Sequence, residues 1–372
     1  MATVNQSKDQ TSKPLYSQIE DALRRRIEYG EFKSGCQIPT EIELMETFQV
    51  SRTTVRTAVA NLVNDGLLCR VQGRGTFVAE QETKVSTPSR ERVSQENMSI
   101  GVVIAGLMGY QPSTVIRGIE AALRANDVNL MLLSSNINPD IEKENLERLL
   151  RADVQGIIIW PSGHQEDAVR RIVETSQVVP VLLIDCFFRG IDLPYVVSDN
   201  FGGAYEAADY LISRGCQRIG FVSTMSPTEP GVLSSISERY RGYVMALENN
   251  GMVADEALLF SHWNYSFEHT SFAEYVKRNQ IDAILIENDN VLVQVVKVCQ
   301  EKGIRIPDDL TIVGFDDSQI LSSLSFPVSS VRQRWYDMGY TAGRMMIKMI
   351  YGEHSILDRQ IVLPIRLMIR DL

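Results

Sequence analysis

Residues 38–78 read IPTEIELMETFQVSRTTVRTAVANLVNDGLLCRVQGRGTFV. Thr40-x-x-Glu43 is a capping box, in which each residue satisfies a free backbone N–H of the other at a helix start. The helix it opens turns Leu44, Met45 and Phe48 inward. Ser51 is a favourable N-cap for a further helix that runs to Asp65-Gly66. In that helix Val55, Val59, Leu62 and Val63 share one face, while Arg52, Thr53, Arg56 and Thr57 lie near its start, mostly on other faces. Two strands, 67–70 and 76–79, then flank Gly73-Arg74-Gly75, where glycines allow the backbone to turn with positive φ. Upstream, Pro14 and Gly30 bound an amphipathic helix with Leu15, Ile19, Leu23 and Ile27 at four-residue spacing. The pattern predicts a winged helix-turn-helix over residues 14–79.

Such a head points to double-stranded DNA. The N-terminal end of the second motif helix enters the major groove. Arginine there grips guanine O6/N7 in bidentate fashion, and threonine reaches base edges or phosphates. Arg74 on the hairpin tip is placed for the minor groove or a phosphate. The chain carries net charge −10, which opposes indiscriminate coating of nucleic acid. Residues 1–80 hold ten basic and ten acidic residues, so the whole net charge falls on the remainder. DNA contact must therefore come from local clustering in the head.

At 372 residues the chain exceeds twice the roughly 150 per domain used as a prior. Residues 1–13 read as a disordered tail, and 80–98, charged and without apolar period, read as a linker. From Ser99 aliphatic runs at 100–105, 130–133, 156–160, 179–184, 218–222, 283–286 and 311–315 alternate with amphipathic segments. That texture predicts α/β architecture, with parallel sheets covered on both faces. Its size predicts two lobes over 99–372. No run reaches a membrane span, and the polar start lacks a signal peptide's apolar core, so a cytoplasmic protein without membrane contact is expected. Cys36, Cys69, Cys186, Cys216 and Cys299 are scattered, which favours reduced thiols over a disulfide frame or zinc site.

Open α/β sheets bind ligands at the C-terminal ends of their strands. Asp316 follows the strand at 311–315 and can accept from two hydroxyls. Asn288 follows 283–287. Trp160 ends the third strand, and Tyr110 lies just past the first. Arg239, Gln333 and Trp335 complete the candidates. Each also has a structural reading: an acidic strand end can cap a helix, Arg239 can pair with Glu238, and a tryptophan at a strand end can be core.

Two resemblances cover nearly the whole chain. Residues 14–79 resemble the GntR-type winged helix through Pro14-Leu15-Tyr16, Ile38-Pro39-Thr40-Glu41, Val50-Ser51-Arg52-Thr53-Thr54-Val55-Arg56, Asp65-Gly66 and Gly73-Arg74-Gly75-Thr76-Phe77-Val78. The resemblance implies base or phosphate contact by Ser51, Arg52, Thr53, Thr54 and Arg56, with Gly73 and Arg74 as the wing. Ile42 stands where many members carry an arginine. Residues 99–372 resemble the LacI/GalR effector domain, which has the fold of periplasmic sugar-binding proteins. The motifs are Ile100-Gly101-Val102-Val103, Arg117-Gly118-Ile119-Glu120, Asp199-Asn200, Glu238-Arg239-Tyr240-Arg241-Gly242, Glu287-Asn288-Asp289 and Val313-Gly314-Phe315-Asp316-Asp317. By family spacing Arg239 is the pocket arginine, and Gln333 and Trp335 face the cleft.

The resemblances imply a homodimeric repressor of carbohydrate-use genes on a palindromic operator, released by a small sugar such as L-arabinose, with no cofactor or metal. One alternative keeps the architecture and takes a purine or sugar phosphate as co-repressor. A phosphate calls for several basic groups in the cleft, and Arg239 stands out alone. A secreted solute-binding protein is opposed by the DNA-reading head. An enzyme is opposed by the lack of a nucleotide loop, a Gly-x-Ser-x-Gly elbow or a metal-spaced histidine pair. His164, His262, His269 and His354 are dispersed.

Overall fold

A computed structural model describes residues 15–28, 32, 36–48, 50, 52–64, 67–71, 75–78 and 98–370, the last range without 164, 262–268 and 354–358. Two compact units divide the chain, Met1–Arg92 and Val93–Leu372.

In the first unit, helices α1 (Leu15–Glu28), α2 (Glu41–Phe48) and α3 (Arg52–Asn64) precede strands β1 (Leu68–Val71) and β2 (Gly75–Val78). The capping box closes: Thr40 N donates to Glu43 Oε2 at 2.7 Å, and Glu43 N donates to Thr40 Oγ1 at 3.4 Å. β1 and β2 pair antiparallel from Leu68↔Val78 to Val71↔Gly75. Residues 36–38 add a short third edge, with Ile38 N donating to Thr76 O and Val78 N to Cys36 O. Ile19, Leu23, Leu44, Val55, Val59, Leu62, Leu68 and Val78 form one buried core. The apolar period of each helix is thus spent inside.

The second unit is built from β3 (Ser99–Ile104), α4 (Tyr110–Arg124), β4 (Asn129–Ser134), α5 (Pro139–Arg151), β5 (Gly156–Ile159), α6 (Glu166–Ser176), β6 (Val181–Ile184) and β7 (Tyr195–Ser198). It continues through α7 (Asn200–Ser213), β8 (Ile219–Val222), α8 (Ser234–Asn249), β9 (Leu259–Phe260), α9 (His269–Arg278), β10 (Ala283–Ile286), α10 (Asp289–Lys302) and β11 (Thr311–Asp316). β12 (Ser329–Arg332), α11 (Trp335–Tyr351), β13 (Gln360–Leu363) and β14 (Arg366–Met368) complete it.

Two six-stranded sheets result, ordered β13-β7-β6-β5-β3-β4 and β14-β12-β11-β10-β8-β9. Every pairing is parallel except β12 with β14. Their inner strands β5, β6, β8 and β10 are buried at every position, as expected for sheets covered on both faces. The chain passes between lobes three times: from β7 to α7, from β12 to α11, and from β13 to β14. β7, β12 and β13 bring their C-terminal ends to these crossings, and β14, antiparallel to β12, brings its N-terminal end.

Helix pairs adjoin the first two crossings. α11 packs on α4 so closely that a Cβ on Gly339 would lie 2.0 Å from Val115 O, and one on Gly118 would lie 2.2 Å from Tyr336 O. In the other lobe, a Cβ on Gly242 of α8 would lie 2.1 Å from Phe201 O of α7. Only glycine permits backbone approach of this kind.

Candidate functional site

Of the expected DNA readers, Ser51, Gly73 and Arg74 lie outside the described residues, as do the side chains of Arg52 and Thr53. The backbone of 52–56 forms the first turns of α3. Arg56 and Thr57 are exposed and Thr54 is half-buried, while Val55 and Val59 are buried. The helix thus presents a polar face and seats its apolar face in the core.

In the cleft, Asp316 ends β11 at φ 110, and Asp185 follows β6 at φ 68. Both are non-glycine residues in a region that disfavours a side chain, a form of strain concentrated at ligand clamps. Asp316 accepts from Gln333 Nε2 at 2.6 Å and from Gln111 Nε2 at 2.9 Å. Gln111 belongs to α4, so the second bond spans the lobes. Arg239, only 6% exposed, lays its guanidinium 3.9 Å from the centre of the Phe315 ring. Its Nε donates to Asn200 Oδ1 at 2.8 Å and its Nη1 to the Glu287 carbonyl. Trp160 and Trp335 stack, with centroids 5.6 Å apart and planes at 17°.

Acidic groups outnumber this arginine. Burial pushes the Asp185 carboxyl up to about 6; the Arg239 charge opposes the shift, the Asp316 charge adds to it, and a hydrogen bond from Trp160 opposes it. Burial likewise raises Glu287 and Asp316, against the pull of Arg239. Asp289, enclosed at the start of α10, is raised by burial and then by the Asp316 charge, although Ser318 and Ser330 donate to it.

Several buried polar atoms here have no protein partner among the described residues: Asp185 Oδ1, Glu287 Oε2, Gln333 Oε1, Ser198 Oγ and Trp335 Nε1. An unpaired buried polar atom costs about 1–3 kcal/mol, and native proteins seldom leave several together without a use. With the two carboxyls ionised three are acceptors, one is a donor and the hydroxyl is either. Their complement is a ligand with several O–H groups. Among the described residues no group of three or more His, Cys, Asp or Glu is arranged to hold a metal.

The structure thus gathers Trp160, Arg239, Asp316, Gln333 and Trp335 at one cleft. Asn288 is occupied differently: its Oδ1 caps α10 by accepting from Val291 N at 3.0 Å, and its Nδ2 donates to Glu287. Tyr110 sits at the rim, 37% exposed. Sequence reasoning passed over Asp185, Gln111, Glu287 and Asn200. Asp185 had a signal, since it follows the 179–184 run as Asp316 follows 311–315. Gln111 had none, its partner being 205 residues away.

Residues 15–78 match the model of bacterial regulatory proteins of the gntR family, and 208–371 match a periplasmic binding protein-like domain. The chain is 30% identical over 347 residues to the arabinose metabolism transcriptional repressor of Geobacillus stearothermophilus, covering 91% of each. It is 24% identical over 351 residues to the protein of the same name from Halalkalibacterium halodurans, covering 91% of this chain and 90% of that one. The crystal structure of transcription regulator CcpA of Lactococcus lactis aligns with TM-score 0.67 and 25% identity, covering 74% of this chain and 98% of that one. With 30% identity to one such repressor across 91% of both chains, this chain belongs to the family of bacterial transcriptional repressors, with a gntR-family DNA-binding head and a LacI-type, periplasmic-binding-protein-like body.

Proposed function

We propose that this protein represses carbohydrate-use genes by binding a palindromic operator as a homodimer, and that a small neutral sugar, L-arabinose foremost, releases it. The reading rests on the set of unpartnered atoms at Asp185, Ser198, Glu287, Gln333 and Trp335 beside one already engaged arginine. Hydroxyls donate and accept, so a polyol satisfies that set. A phosphate would meet Asp185, Glu287 and Asp316 with only Arg239 to balance them. The names of the two relatives support arabinose in particular. In this reading α3 lies in the major groove with Arg52 and Arg56 toward bases, and the 73–74 tip serves as the wing. Sugar and operator oppose each other because the sugar binds the two lobe arrangements with different affinity, a difference carried to the head through 80–98.

A thermal-shift screen of pentoses, hexoses and their phosphates tests the effector, followed by gel shifts on the operator. L-Arabinose should raise the melting temperature and release operator DNA. Asp316→Ala should bind the operator as the parent does and no longer respond to the sugar. Stabilisation by a sugar phosphate or a purine but by no free sugar would overturn the neutral-sugar reading.

A further inference from the structure

A polar cluster lies beyond Trp160, on the strand ends next to the groups just described. Glu142, in the first turns of α5, is only 1% exposed. Its Oε2 accepts from Ser162 N at 2.6 Å. Ser162 Oγ lies 2.6 Å from Ser135 Oγ, which in turn donates to Ile104 O at 3.1 Å. Ile104 ends β3, Ser135 follows β4 and Ser162 follows β5, so one network ties three neighbouring strand ends. The turn at 160–163 is fastened twice, by Trp160 N to Val103 O at 2.9 Å and by Ser162 N to Glu142. Trp160, which stacks on Trp335 and hydrogen-bonds Asp185, stands between these tethers.

Burying a carboxylate costs free energy unless its oxygens are met. Burial raises the pKa of Glu142, and hydrogen bonding from Ser162 opposes that. A residue kept in such a place does more than fill space, since an apolar side chain would cover the same sheet face more cheaply.

We propose that Glu142 is a positioning residue of the effector site: through Ser162 it fixes the turn at 160–163 and so holds Trp160 against Trp335 and Asp185. It touches no ligand. It acts through a turn whose displacement would move one aromatic wall of the cleft, and small misplacements of a supporting group weaken a site strongly. Where sugar affinity is concerned, this rests on the reading under Proposed function.

The test compares Glu142→Ala, Glu142→Gln and Glu142→Asp in the full chain carrying Trp263→Phe, so that only Trp160 and Trp335 report. Two indoles stacked this closely give an exciton couplet in circular dichroism without any ligand. Glu142→Gln retains an acceptor for Ser162 N and should keep the couplet. Glu142→Ala should lose it, and so should Glu142→Asp, whose carboxylate is one methylene short. The Asp variant decides the matter should the Ala variant not fold. L-Arabinose affinity by calorimetry should fall at least about tenfold in the Ala and Asp variants and stay within about threefold in the Gln variant. Sugar-free operator binding should be unchanged in all.

An intact couplet in Ala or Asp overturns the inference, and so does a lost couplet with undiminished sugar affinity. Equal losses of couplet and operator binding would reduce Glu142 to a fold-stabilising group, which also overturns it. Failure of the parent protein to bind L-arabinose would count against the arabinose reading alone, because the couplet still decides whether Glu142 positions Trp160.

Discussion

Asp185 sits at positive φ in a buried position with one oxygen unpartnered, and its acidity follows from that setting. Its carboxyl is raised from an ordinary 3.8 to about 6. Protonated Asp185 therefore favours the sugar-free fold: its contribution is fully present below about pH 4 and is lost as pH rises through about 6. Sugar binding has the opposite slope, because the hydroxyls of a polyol need the ionised acceptor. At pH 5 about one-tenth of Asp185 is ionised, so sugar affinity should be about tenfold weaker there than at pH 7. Calorimetry at the two pH values checks this, with Asp185→Asn expected to flatten the difference. A parent profile already flat from pH 5 to 7 would remove Asp185 from the ligand contacts. In the head, Arg52→Ala or Arg56→Ala should cost about 1–3 kcal/mol of specific operator binding. Unchanged gel-shift affinity for both would sink the base-reading assignment. Asp316 was legible because the sequence motif and the strand-end rule both point to it, and Arg239 because its motif does, on a helix rather than at a strand end. Gln111 was not, since it meets Asp316 only across the two lobes, and Glu287 and Asn200 were not, since their contacts with Arg239 join residues 48 and 39 apart in the chain.

Elements were legible where they carry an aliphatic run, the edge strand β4 included. Strands β3, β5, β6, β8, β10 and β11 announce themselves as aliphatic runs because both faces of each are covered. Strands β9, β12, β13 and β14 lie at or next to sheet edges and are two to four residues long, and only β13 carries a short aliphatic run, Ile361-Val362-Leu363, which was passed over. β7, a short inner strand, was missed as well. The crossings between lobes run through these short pieces and carry little aliphatic signal of their own. Glycines in the crossing helices mark them instead. A Cβ on Gly339 would lie 2.0 Å from Val115 O, against backbone that cannot swing away as a flexible side chain would. Gly339→Ala should therefore push α11 off α4 despite alanine's better helix propensity. The expected loss is about 1–3 kcal/mol, the range for overpacked cores, read by urea denaturation. A variant as stable as the parent would show that the two helices separate without penalty.

At the scale of the whole sensor, polar bridges already join the lobes. Gln111 donates to Asp316, Phe187 N donates to Ser234 Oγ at 2.8 Å, and Arg189 pairs with Glu238. Glu238 also holds Arg241 of its own helix at 3.0 Å. Arg189 follows β6 in one lobe and Glu238 belongs to α8 in the other, so the pair joins the two lobes. It sits beside a cavity of about 900 Å³ lined by both lobes, with Phe187, Phe188 and Tyr240 among its walls. The arginine is 55% exposed, which limits such a pair to about 0–1 kcal/mol and makes it sensitive to salt. That is still enough to tilt a two-state equilibrium, since about 1 kcal/mol changes the ratio of shut to open forms roughly fivefold. Arg189→Ala should expand the sugar-free sensor in small-angle scattering and weaken sugar affinity by about two- to fivefold at low salt. Raising salt to about 0.5 M should bring the parent toward the variant, because screening removes in one what mutation removed in the other. If the two proteins differ equally at both salt concentrations, the loss comes from packing of the arginine stem and the pair does not set the balance between lobe positions.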